Sequence, residues 1–163
     1  MGERAPPGRR ATQTYWITAG DGRSTEEMVA AGNYAYAHSC VSSENFPARR
    51  YGPAQMRGIV LLEFDHDVTS GDVMSEAARL GLERPTYEDA LSFGIAYPDV
   101  QLERPVVFLH APWVGFFGRR DVLCLWSNVG RRELGLEGFD DLWNRSSRFA
   151  FVAAREERTA RRL

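Results

Sequence analysis

No lysine occurs in this chain. All 20 basic residues are arginine, in keeping with codon bias in a GC-rich genome. The absence excludes a Walker-type phosphate lysine, a Schiff base and a pyridoxal-phosphate attachment point. Cysteine is almost as scarce: Cys40 and Cys124 stand 84 positions apart with no C-x-x-C. A zinc site is not built from that pair. A disulfide between them stays open from sequence, and the expectation is two buried free thiols in a reducing cytoplasm. No apolar run approaches the ~18 residues that would span a membrane, so no membrane role is expected. Net charge is only −2. It gives no electrostatic footprint for nucleic acid, which leaves protein as the expected partner class.

What is present is an ordinary globular composition, 44% apolar and 26% charged over 163 residues, which suits one domain with a real core. The opening "MGERAPPGRRATQ" reads as a disordered leader over residues 1–13. "REERTARRL" reads as a charged tail that takes in residues 156–163. Residues 14–155 form the expected domain. "TYWITA" (14–19) and "NYAYAHSC" (33–40) are possible strands. "GIVLLEF" (58–64) is apolar at nearly every position and reads as a central strand.

Three helix starts carry capping signals. Ser24 stands three residues before Glu27, with Gly32 expected as the left-handed stop. Thr69 stands three before Asp72, and the helix that follows ends at Gly81. Thr86 precedes Glu88 and Asp89, whose charge suits a helix N-terminus. Gly94 lies on the buried stripe of that third helix at a cost of about 1 kcal/mol relative to Ala, so something should pack close against it. "YPD" (97–99) stops it. After residue 100, "PVVFLHA", "DVLCLWS", "RRELGLEGF" and "RFAFVAA" read as strands joined by turns. The expected fold is α+β: a mostly antiparallel sheet with two or three short helices on one face.

"VLLEFDHDVTS" (60–70) poses a choice. A strand followed by Asp65-x-Asp67-x-Thr69 resembles the first motif of haloacid-dehalogenase-type phosphatases. That resemblance implies Asp65 as nucleophile, Asp67 as acid/base and Mg²⁺ beside them, with Ser127 closing a second motif and Asp140 in a final acidic pair. Against it stand the missing lysine clamp, Val68 where that motif commonly has Gly, and consecutive strands where the fold needs alternating helices. In an extended chain Asp65 and Asp67 point opposite to His66, so the three do not converge on one ion. A calcium loop counted from Asp65 has its glycine one place late, at Gly71. The plain reading explains more: a strand ends in polar residues, Thr69 caps a helix, and His66 is solvated. No metal or other cofactor is expected on that reading.

His38 and Cys40 would share a face of a strand, but no third group orients them as a nucleophile pair. His110 at the end of "VVFLH" reads as a hydrogen-bonded surface residue. More telling is "HAPWVGFFGRRD" (110–121), placed at a turn between strands. Turn tips are normally polar. One made of Trp113, Val114, Phe116 and Phe117 beside Arg119 and Arg120 either folds under the core or contacts something. Trp143 and Arg145 in "WNRSSRF" are a second candidate contact, since Trp and Arg can stack on a base or a protein surface.

The assembled stretches "STEEMVAAGNY", "LLEFDHDVTSGDVMSEAARLGLERPTYEDALSFGIAYPDVQLERPVVFL" and "LGLEGFDDLWNRSSRFAFVAAR" resemble a family of small bacterial proteins known chiefly from genome and metagenome sequencing. The middle stretch is the most specific. The resemblance implies an organisation over residues 14–155 and no activity. It also implies that the position of His66 varies and that the segment 113–120 differs in length and content. The reading that follows is a non-enzymatic interaction module, with the Mg²⁺-dependent hydrolase as the alternative.

Overall fold

The computed structural model describes residues 8–48 and 53–154. In chain order the elements are β1 (Arg9–Ala19), α1 (Thr25–Ala31), β2 (Tyr36–Ala37), β3 (Gln55–Glu63), α2 (Ser70–Arg79), α3 (Tyr87–Ala96), α4 (Val100–Glu103), β4 (Val106–Phe108), β5 (Trp113–Val114), β6 (Arg120–Asn128), β7 (Arg131–Gly138) and β8 (Arg148–Val152). One eight-stranded sheet runs β1-β3-β8-β4-β6-β7-β2, with β5 paired to β6. β1 begins at Arg9, inside the stretch expected as a leader. The charged tail and residues 1–7 lie outside the described residues.

The three helices start at the expected caps, and each start is a full capping box: Ser24 with Glu27, Thr69 with Asp72 and, beyond the charge role expected of Asp89, Thr86 with Asp89. One stop differs. Gly32 keeps a right-handed helical backbone, and Asn33 takes the left-handed turn at φ 50°. Past the third helix, α4 adds a single turn where "YPD" suggested a plain stop.

The class is α+β, but the sheet is mixed. β4 runs parallel to β8, and β2 parallel to β7. Turn-connected strands such as β6 and β7 pair antiparallel. β8 instead returns through the loop 139–147 and slots between β3 and β4, so no hairpin dictates its direction. The helices also cover both faces, not one. Ile59 and Leu61 of β3 join a core with Met28 of α1 and Leu91 and Phe93 of α3. The alternate residues Val60 and Leu62 join a second core with Val73 and Ala77 of α2. A strand that is apolar at successive positions requires cover on both sides, because its side chains alternate between faces.

Candidate interaction site

β5 and the start of β6 form a short hairpin, with Trp113 opposite Asp121 and Val114 opposite Arg120. The Gly118 N–H donates to the Gly115 carbonyl at 3.0 Å, and the Gly115 N–H to the Arg119 carbonyl at 3.1 Å. Gly118 takes φ +74°, which a side-chain-bearing residue rarely adopts. Phe116 and Phe117 are therefore the two central residues of the turn. Their exposures are 104% and 101%, so neither ring rests against the other described residues. Trp113 does the opposite. Its ring lies 5.6 Å from that of Phe46, and it packs half-buried against the core that holds α1 and α3. The sequence offered folding-back and contact as alternatives for this segment. The hairpin folds Trp113 back against the core and leaves the Phe pair exposed.

The two arginines after the tip are held at its base. Arg119 Nε donates to Asp121 Oδ1 at 2.7 Å and lies 4.0 Å from Asp141. Arg120 forks onto both oxygens of Asp140, and its guanidinium sits 4.9 Å from the Phe139 ring centroid. That hydrogen-bonded pairing holds the Asp140 carboxyl below the usual range and lifts Arg120. Arg84 approaches Phe139 at 5.8 Å while donating to the carbonyls of Leu109 and His110, at 2.7 and 2.9 Å. Glu137 lies close by. Partial burial raises its pKa, Arg119 opposes that, and Asp141 and Asp121 add to it. Each arginine of the hairpin base is thus answered by a carboxylate, and the exposed apolar groups of the hairpin are Phe116 and Phe117, with Val114 beside them.

Trp143 does not join this surface. It is 7% exposed, its indole N–H donates to Ser70 Oγ at 2.8 Å, and its ring meets Phe149 edge-on at 6.0 Å. It belongs to the core under α2, and its expected role as a contact residue is corrected on that ground. Its backbone pairs with that of Val68 through bonds of 2.8 and 3.0 Å. This lays the 139–147 loop alongside residues 65–70. Arg145 is exposed at the same crossing, and its backbone N–H donates to Asp67 Oδ1 at 3.0 Å.

No protein-family model, curated protein or solved structure matches the chain.

The four residues of the hydrolase alternative are not drawn into one cluster among the described residues. Asp65 is exposed and pairs with His66 Nδ1 at 2.8 Å, an interaction that lowers its pKa. Asp67 serves the 139–147 loop through Arg145. Ser127 is on β6, separated from β3 by β8 and β4, which is about 14 Å at ~4.8 Å per strand. Asp140 binds Arg120 at the other end of β6, about 23 Å along the strand from Ser127 at ~3.3 Å per residue. β3 itself lies between two antiparallel neighbours, β1 and β8. His66 is half-buried with its ring edge-on to Phe64, and so is not the solvated residue expected. Among the described residues no three His, Cys, Asp or Glu side chains gather as a metal ion would require.

The other histidines hydrogen-bond main-chain groups. His38 Nδ1 accepts the backbone N–H of Cys40 at 3.1 Å, in a turn rather than a strand. Both cysteines are free. Cys124 is buried and its thiol pKa is raised by burial, whereas Cys40 is only partly buried. His110 is 1% exposed, not at the surface. The Leu123 N–H donates to its Nε2 at 3.0 Å, so Nε2 is unprotonated, and Nδ1–H donates to the Ala111 carbonyl at 2.8 Å. Burial pushes its pKa down to about 4, with the Arg84 charge adding and the Ala111 hydrogen bond opposing. The imidazole ties the start of the hairpin segment to β6. No signal in the sequence announces that, because the partners are main-chain groups.

Proposed function

We propose that this protein is a non-enzymatic binding module that takes hold of a protein partner through Phe116 and Phe117. The observation that carries the reading is the full exposure of two adjacent phenylalanines on a glycine-bounded turn. Fully burying a Phe contributes roughly 2–3 kcal/mol. Two rings entering one apolar cleft supply about 4–6 kcal/mol before the costs of association are subtracted. Small aromatic anchors of this kind dominate interface energetics. The compensated charges at the hairpin base, Arg119 with Asp121 and Arg120 with Asp140, favour an uncharged protein cleft over the phosphates of nucleic acid.

Among the described residues no helix is long and apolar enough to cross a membrane. Two unpaired cysteines suit a reducing compartment such as the cytoplasm. The test is affinity capture with the wild type and with Phe116→Asp/Phe117→Asp, after equal melting temperatures show both are folded. The proposal requires a partner retained by the first and lost by the second. Identical capture by both variants contradicts it.

A further inference from the structure

We propose that β1 is the interface of a homodimer, pairing antiparallel with β1 of a second copy so that two eight-stranded sheets become continuous. β1 ends the sheet order, and β3 is its strand neighbour. From Thr14 to Ala19 the two strands pair residue for residue, Trp16 lying opposite Gly58. The Gly58 carbonyl accepts the Ala153 N–H, on the side of β3 that faces away from β1. Trp16 and Gly58 are therefore a non-hydrogen-bonded pair, and the main-chain groups of Thr14, Trp16 and Thr18 point outward from the sheet. One of them is touched from within: the Tyr97 hydroxyl donates to the Trp16 carbonyl at 2.8 Å. A carbonyl has two lone pairs, so that oxygen still accepts a strand partner.

Sheet edges in monomers are normally blunted by charge, proline, bulges or brevity. β1 has a bulge, but it lies between Arg10 and Thr14 and leaves the following six residues regular. Those residues, "TYWITA", contain neither charge nor proline. The other edge of the sheet is β2, only two residues long. A two-fold axis through Trp16 places Trp16 against its own copy, Thr14 against Thr18, and Tyr15 against Ile17. Every pair is uncharged, and the outward groups of 14, 16 and 18 meet in hydrogen-bonding register. The same strand on both sides makes the contact self-complementary, as a two-fold interface requires.

The test is the molar mass of the full chain by light scattering across a dilution series, with two variants checked for unchanged melting. Thr14→Lys/Thr18→Lys sets like charges opposite each other in this register. Thr14→Lys/Thr18→Glu sets opposite charges there. The expected masses are twice the chain mass for the wild type, once for the first variant and twice for the second. A monomeric wild type overturns the proposal. So does a dimer that survives the like-charge variant, or the failure of the opposite-charge variant to pair.

Discussion

The Tyr34 hydroxyl occupies the place that a side chain on Gly94 would need: an ideal Cβ built there falls 1.9 Å from it. This is the close neighbour that a glycine on the buried stripe of α3 implied. Gly94→Ala gains about 1 kcal/mol of helix propensity. It loses more to overpacking, which typically costs ~1–3 kcal/mol. Denaturant unfolding should show a net loss for Gly94→Ala and partial recovery in Tyr34→Phe/Gly94→Ala, because the clashing atom is the hydroxyl. Simple additivity of the two substitutions would show that the contact is not the cause.

His110 makes stability depend on pH. The folded-state pKa is near 4, against 6.5 for the free side chain. The unfolded chain therefore takes up a proton first as pH falls. The contribution is whole above pH ~6.5, declines as pH drops from there, and is gone below ~4. Its size is on the order of 3 kcal/mol, from the 1.36 kcal/mol that each pKa unit represents. His110→Gln should flatten the difference in stability between neutral and mildly acid solution. If wild type and variant lose stability in parallel, His110 is not the group responsible.

The turn between β6 and β7 contains a local conflict. Asn128 pairs with Arg131 across a two-residue loop, and both loop residues, Val129 and Gly130, have positive φ, 52° and 74°. That turn favours Asn-Gly, while a β-branched residue in the left-handed region costs about 1–2 kcal/mol. Val129 is also 95% exposed, so packing returns nothing for its conformation. Val129→Asn should raise the unfolding free energy by about 1 kcal/mol. An unchanged or lowered melting temperature would contradict this account of the turn.

Much of the fold is legible in local sequence, and what is not legible has identifiable causes. Capping boxes span three residues, so Ser24, Thr69 and Thr86 declare their helices directly. "GIVLLEF" declares a central strand. Followed through, its unbroken apolarity also requires cover on both faces, and the one-sided sheet expected from the strand-rich C-terminal half conflicts with it. The parallel pairing of β4 with β8 rests on a return loop, and loop paths leave no periodic trace. Trp143 looked like a contact residue because its partner, Ser70, lies 73 positions away. Phe116 and Phe117 were legible as an anomaly, an apolar pair between glycines. Sequence alone did not separate them from Trp113, since that depends on Phe46 reaching the same place.

The exposed pair should be dispensable for folding. Surface substitutions away from packing features usually change stability by no more than about 0.5 kcal/mol. Phe116→Asp/Phe117→Asp should fall within that range, whereas Trp113→Asp should cost several-fold more because its ring packs against Phe46. Chemical denaturation of the two variants checks the contrast. Marked destabilisation by the Phe pair would make the tip a folding element.

The most direct measurement is photo-crosslinking from position 117 in the native host, with a benzoyl-phenylalanine in place of Phe117. The account predicts a covalent adduct with one defined polypeptide, present in wild-type background and lost when Phe116→Asp is added. Adducts with lipid or nucleic acid alone, or a polypeptide adduct indifferent to Phe116, would contradict it.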